Sequence, residues 1–234
     1  MIVYGRNPVR EALRGKRRVQ RVYATERAAR EVLLAEVESQ IVDAGEVERR
    51  AESPDHQGIC AEVEAYPYAN ADSLLDADDA LVIALDEVQD PHNLGAACRV
   101  AESAGAAGVV LPERRSAEVS PAVCKASAGA VEHLDVARVR NLADWLVAAK
   151  QRETWVYGAA ADAAVAYHRP DYRGRVVLVL GSEGRGLRPR VASVCDELVR
   201  LPTRGRVSSL NVSTASAALV YGILHFRQGL DRAP

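Results

Sequence analysis

The sequence predicts an α/β fold in two parts. A mainly parallel sheet with helices on both faces fills the C-terminal two-thirds, and a small α/β unit precedes it. Three observations carry this prediction. Six short apolar runs, at 80–85, 107–111, 133–138, 154–159, 176–180 and 197–201, alternate with helical stretches. That is the rhythm of parallel strands joined by crossovers. Three of the runs end in loops that gather glycines and polar side chains, and ligands of open α/β sheets bind outside the C-terminal ends of the strands. Hydrophobic residues make up 48% of the 234, enough for a buried core and against bulk disorder.

In chain order, Gly5-Arg6-Asn7-Pro8 reads as a turn opening a helix, with Asn7 as its N-cap and Pro8 in its first position. Val9 and Leu13 share one face of that helix. Val19–Ala24 reads as a strand. A helix is expected over 27–44, its apolar stripe formed by Val32, Leu33, Val37, Ile41 and Val42, and a second strand over 58–63. The acidic, turn-rich stretch from Ala65 to Asp79 reads as a linker or short connecting helix. The expected division is therefore 1–66, a linker over 67–79, and 80–234. The final stretch, 212–227, is Ala-rich and amphipathic, with Asn211 as its natural N-cap.

Charge is unevenly spread. The net charge is −2, yet residues 1–30 hold nine basic side chains (Arg6, Arg10, Arg14, Lys16, Arg17, Arg18, Arg21, Arg27, Arg30) against Glu11 and Glu26. Such a cluster fits a phosphate-binding patch as well as a solvated helix face. Cys60, Cys98, Cys124 and Cys195 are scattered, without C-x-x-C spacing, and read as reduced, buried thiols. No apolar run reaches the length of a membrane span. Arg6 and Arg10 interrupt the start before any leader-like apolar core forms, so a cytoplasmic protein is expected. His56, His92, His133, His168 and His225 have no partner pattern, and no catalytic metal is expected.

The chemistry concentrates in three segments: Leu85–Arg99, Leu178–Leu187 and Leu201–Ser213. Taken alone, Asn93 reads as a helix cap and Arg99 as a surface cation. Gly181-Ser182-Glu183-Gly184-Arg185-Gly186 lacks the G-x-G-x-x-G spacing of a dinucleotide site, which makes a nucleotide-dependent oxidoreductase remote. Its glycines allow close backbone approach to a small ligand. Ser208-Ser209-Leu210-Asn211 precedes the last helix, whose free N–H groups either bind a ligand oxygen or are capped by Ser209 and Asn211.

Together these segments closely resemble the three motifs of the SpoU-type RNA 2′-O-methyltransferases of the SPOUT class. Tyr4–Leu13 and His56-Gln57-Gly58 are similar to the start and close of that family's N-terminal substrate-binding domain, and Lys125–Ala130 to a segment of its catalytic domain. The resemblance implies a trefoil knot near the C-terminus, a fold that ordinary topology rules exclude. It implies S-adenosyl-L-methionine held largely by backbone groups, mapped here to Gly181, Leu201 and Leu210. It also implies a homodimer, and catalytic residues at Asn93, Arg99, Glu183, Ser209 and Asn211, all present in the sequence. The implied reaction is methyl transfer to a ribose 2′-oxygen, and the layout is most like members acting on a guanosine of 23S ribosomal RNA. The 2′-hydroxyl as nucleophile excludes DNA. A tRNA ribose methyltransferase and a non-catalytic RNA-binding ribosome-assembly protein are the alternatives.

A ribose hydroxyl is a poor nucleophile and must lose its proton. The resemblance gives that role to Arg99. A free guanidinium titrates above about 12, so two roles stand open: a base in an oriented setting, or a fixed charge that anchors phosphate and stabilises the developing alkoxide. Asn93 and Glu183 would orient Arg99 or the ribose, and Ser209 and Asn211 would fix the third loop and contact the substrate.

Overall fold

The computed structural model describes residues 1–32, 39–205 and 209–230. Its N-terminal part is a four-stranded sheet of β1 (Ile2–Tyr4), β2 (Val19–Ala24), β3 (Ser39–Ile41) and β4 (Ile59–Val63), in the order β1-β4-β2-β3. Strand β4 runs antiparallel to β1 and β2, while β3 is parallel to β2. Helices α1 (Arg6–Arg14), α2 (Glu26–Val32) and α3 (Ala44–Ala51) connect them.

Two local expectations fail here. Helix α1 begins at Arg6 with Gly5 as its N-cap at φ 97°, a conformation natural only to glycine. Asn7 lies inside the helix, where its Oδ1 accepts from Arg10 Nη1 at 3.4 Å. The helix expected over 27–44 is not continuous. Helix α2 is described to Val32, and Ser39–Ile41 forms an edge strand on β2. Val42 packs instead against the cluster of Tyr23, Val47, Ala51 and Cys60. Leu33 and Val37 lie outside the described residues, and so does the side chain of Val32. Strand pairing overrides the helical spacing of the apolar residues. Asp43 then caps α3 by accepting from Glu46 N at 2.8 Å, a D-x-x-E start signal inside what reads as one helix.

The remainder is a seven-stranded, wholly parallel sheet. Its strands are β5 (Leu81–Asp86), β6 (Gly108–Pro112), β7 (Val136–Val139), β8 (Thr154–Ala159), β9 (Val165–Ala166), β10 (Arg175–Gly181) and β11 (Glu197–Arg200). Helices α4 (Pro91–Ser103), α5 (Pro121–Ala126), α6 (Leu142–Lys150), α7 (Pro189–Val194) and α8 (Val212–Leu230) complete it. All six strands expected from the apolar runs are present, and β9, two residues long, is additional.

Alternation along the central strands explains the layering. Leu81, Ile83, Leu85, Val176, Leu178 and Leu180 face one core, shared with α4, α8 and the N-terminal sheet. Val82, Ala84, Val177 and Val179 face the other, shared with α6 and α7. Strands buried on both faces read as continuous apolar runs, as these do. The strand order is β7-β6-β5-β10-β8-β11-β9. The chain therefore leaves β5 toward β6 and β7 on one side and returns to build the other. The crevice lies where the order reverses, between the C-terminal ends of β5 and β10, with Gly181 opposite Asp86. Among the described residues no helix is long and apolar enough to cross a membrane.

Candidate active site at the sheet switch point

The site is assembled from the loops that follow β5, β10 and β11. After β5 the chain turns into α4, capped by Asp90, whose Oδ1 accepts from His92 N at 2.8 Å, with Pro91 in the first helical position. Asn93 is thus not the cap, and its amide is free to reach across the crevice. Its Nδ2 donates to Glu183 Oε1 at 3.0 Å. Asn211 Nδ2 donates to Asn93 Oδ1 at 3.1 Å and also to Glu183 Oε1. Asn211 Oδ1 accepts from Ser213 N at 2.8 Å, so the same residue caps α8. One side chain from each of the three loops therefore closes a triangle in which a carboxylate accepts from two amides, a charge-assisted and geometrically restrictive arrangement.

Beside this triangle lies a cleft of about 520 Å3. Gly181, Leu201 and Leu210 all line it, with Glu183 and Ser209. Leu180, Leu187 and Leu198 make its walls largely apolar, and Asp162 adds a second carboxylate from the loop after β8. The glycine loop folds back on itself: Gly186 N donates to Ser182 O at 2.9 Å, and Gly184 and Gly186 adopt φ of 75° and 68°. A Cβ on Gly181 would lie 2.1 Å from the Gly186 carbonyl carbon, so only glycine permits this fold-back.

The loop is also anchored beneath. Asp86, fully buried at the end of β5, accepts from Arg188 N at 2.8 Å and Arg188 Nε at 2.7 Å. This strut was missed in the sequence, although an ionisable residue ending an apolar strand, Ala80–Leu85, is a signal that could have exposed it. Asp162 carried no such signal.

Arg99 is not part of the triangle. It follows Asn93 by six residues, which rotates it by about 120° around α4. It is exposed, and it lines a separate groove of about 410 Å3 with Asn7, Arg10, Ser103, Ser127 and Ala128.

That groove runs along the seam between the two sheets, where polar contacts are dense. Arg17, 6% exposed, donates through Nε to Glu132 Oε2 at 2.8 Å, pairs through Nη2 with Glu132 Oε1, and donates through Nη1 to Glu64 O at 3.2 Å. Burial works against its charge, but the Glu132 hydrogen bond and charge outweigh it and its pKa is raised. Arg17 is thus a structural ion pair and not a member of an exposed phosphate patch. Lys125 Nζ donates to Asp55 O at 2.7 Å, and burial lowers its pKa. A Cβ on Gly5 would lie 2.7 Å from Lys125 Nζ. Tyr66 Oη donates to Leu134 O at 2.6 Å.

The cysteines are buried or half-buried thiols. Burial pushes Cys98, Cys124 and Cys195 up to about 12 and Cys60 up to about 11.

Fold and site together define an α/β enzyme with a cofactor-sized cleft at the switch point of a parallel sheet. Comparison with known proteins is specific. The SpoU rRNA Methylase family matches residues 80–221, and the RNA 2′-O ribose methyltransferase substrate-binding family matches residues 2–69. The Bacillus subtilis protein YacO, whose description names a TrmH family tRNA/rRNA methyltransferase, is 38% identical over 96% of this chain and 95% of its own. The 23S rRNA (guanosine-2′-O-)-methyltransferase RlmB of Pseudomonas putida is 36% identical over 97% of this chain and 96% of its own. The crystal structure of AviRb from Streptomyces viridochromogenes in complex with AdoMet superposes with a TM-score of 0.82, at 24% identity, over 97% of this chain and 90% of that one. The chain belongs to the SpoU methyltransferase family.

Proposed function

We propose that this protein transfers a methyl group from S-adenosylmethionine to the ribose 2′-hydroxyl of a guanosine in 23S ribosomal RNA, and that it works as a homodimer with a knotted C-terminal region. The observation that carries the reading is the convergence of Asn93, Glu183 and Asn211, one from each motif loop, beside the 520 Å3 cleft. The cleft fits the cofactor in size and lining. Pockets for such ligands span about 300–1,000 Å3, mostly apolar with a few placed polar groups, and the carboxylates of Glu183 and Asp162 suit a ligand that is positive at sulfur. Bound there, S-adenosylmethionine supplies an electrophilic methyl group.

The residues divide the remaining work. Gly181, Leu201 and Leu210 hold the cofactor, mainly through backbone and apolar contact. Glu183, fixed by the two asparagine amides, keeps the glycine loop closed against the third loop. Ser209 and Asn211 face the ribose. Arg99 holds its positive charge against the RNA backbone and the 2′-oxygen, whose proton passes to solvent water as the oxygen takes up the methyl group. Orienting the hydroxyl toward the methyl group supplies a large part of the rate.

A second reading, a tRNA ribose methyltransferase, is favoured by the tRNA/rRNA description of the relative YacO. Labelled S-adenosylmethionine offered with 23S rRNA transcript and with bulk tRNA, followed by 2′-O-methyl mapping, decides between them. One modified guanosine in 23S rRNA is expected. Label confined to tRNA would establish the second reading, and no label in either would overturn both.

A further inference from the structure

The nine basic residues of the first thirty are not equivalent once the structure pairs them. Arg6, Arg14, Arg27 and Arg30 each sit against a glutamate, Lys16 against Asp135 at 2.7 Å, and Arg17 is buried on Glu132. Arg21 is engaged as well, whereas Arg10 and Arg18 have no carboxylate partner among the described residues; Arg10's one side-chain hydrogen bond is the 3.4 Å contact to Asn7 Oδ1, and of the two only Arg10 lines the groove. Arg99, on α4, has no side-chain partner among them either. Arg10 and Arg99 lie in the same groove, one contributed by each side of the seam. Of the groove's carboxylates, Glu11 is occupied by His133 at 2.9 Å and by Arg14 at 3.6 Å. Glu102, one turn beyond Arg99, also lines the groove and makes no ion pair among the described residues, so the two guanidinium groups outnumber the one carboxylate left unpaired there.

Resting on the proposed function, the geometry points to a two-arginine clasp for one RNA backbone phosphate, Arg10 from the N-terminal half and Arg99 from the parallel-sheet half. Guanidinium groups suit a phosphate because their planar N–H forks match its oxygens. The seam makes the clasp pre-formed. The Arg17–Glu132 pair ties the loop after α1 to the segment that follows α5, and the Lys125–Asp55 contact ties α5 to the loop after α3. The ordering cost of bringing two long side chains from different halves together is thereby reduced. RNA contact from the N-terminal half then passes through the seam and not through the outer face of its helices.

The test is equilibrium binding of a labelled, guanosine-containing 23S rRNA hairpin to the full chain across a potassium chloride series. Wild type is compared with Arg10→Gln, Arg10→Lys and, as a paired-arginine control, Arg14→Gln. For single-stranded RNA each phosphate contact contributes about 0.7 to the slope of log K against log salt. Arg10→Gln is expected to weaken binding about tenfold and to lower that slope by about 0.7, with cofactor affinity and thermal midpoint unchanged. Arg10→Lys should retain the slope, and Arg14→Gln should behave as wild type. An unchanged slope in Arg10→Gln, or an equal fall in Arg14→Gln, overturns the clasp while wild-type methyl transfer leaves the proposed function standing. A wild-type protein that transfers no methyl group to either RNA overturns both.

Discussion

The cleft at the sheet switch point and the groove at the seam differ in how their polar groups are engaged. At the cleft the side chains that join the loops satisfy one another: Glu183 accepts from Asn93 and Asn211, and Asp86 from Arg188 beneath the glycine loop. In the groove Arg10 and Arg99 face open space with no carboxylate partner among the described residues. Groups that are already paired hold loops in place, whereas unpaired charges are available to a partner of opposite charge. A protein that must grip a small cofactor and a polyanion uses both arrangements about two turns apart on one helix, α4, which carries Asn93 toward the first and Arg99 toward the second.

The largest expected effect breaks the groove side. Arg99→Ala should lower methyl transfer at least about a hundredfold, the scale of losing one positioned charge donor at a reacting oxygen, with no change in thermal midpoint because the side chain is exposed. Retained activity in a steady-state assay would remove Arg99 from the mechanism.

Next in size is the seam. Glu132→Ala leaves the buried Arg17 charge uncompensated and should cost about 3–5 kcal/mol in urea unfolding. Lys16→Ala, which removes an exposed pair with Asp135, should cost about 1 kcal/mol or less. Equal losses would mean that Arg17 is not the latch between the halves.

Asn211→Ala on the cleft side should destabilise by about 1 kcal/mol through loss of the α8 cap, and it should weaken cofactor binding measured by calorimetry through loss of the Glu183 bridge. A stability loss without a binding loss would reduce Asn211 to a cap.

The smallest effect concerns the thiols. Cys98 and Cys124 ionise at about 12 in the folded chain against an ordinary value of 9.0. The folded state therefore keeps protons that the unfolded chain releases, so their contribution to stability is present below pH 9 and is lost as pH rises toward 12. Unfolding free energy should fall across that window, and native protein at pH 8.5 should resist iodoacetamide at these positions. Rapid alkylation there would contradict their burial.

The parallel sheet was legible in the sequence because strands buried on both faces leave unmistakable apolar runs. The three loops were legible because glycines and polar residues stand at the ends of such runs. Contacts between distant segments were not. Arg17 lies in the run Lys16-Arg17-Arg18 and reads as surface charge, since its partner is 115 residues away. Asn93 reads as a cap when taken alone, although the Asp90-Pro91 pair, a cap residue before a proline in the first helical position, already carries a local signal for a cap three residues earlier. The edge strand Ser39–Ile41 is hidden inside helical spacing because it exists only through pairing with β2.

The central claim is a division of labour between the two clefts. It is tested most directly by measuring S-adenosylmethionine and RNA dissociation constants side by side for Glu183→Gln and Arg99→Gln. The expected result is a crossed pattern: Glu183→Gln weakens cofactor binding and leaves RNA binding intact, while Arg99→Gln does the reverse. Two variants that each weaken both ligands equally would contradict it.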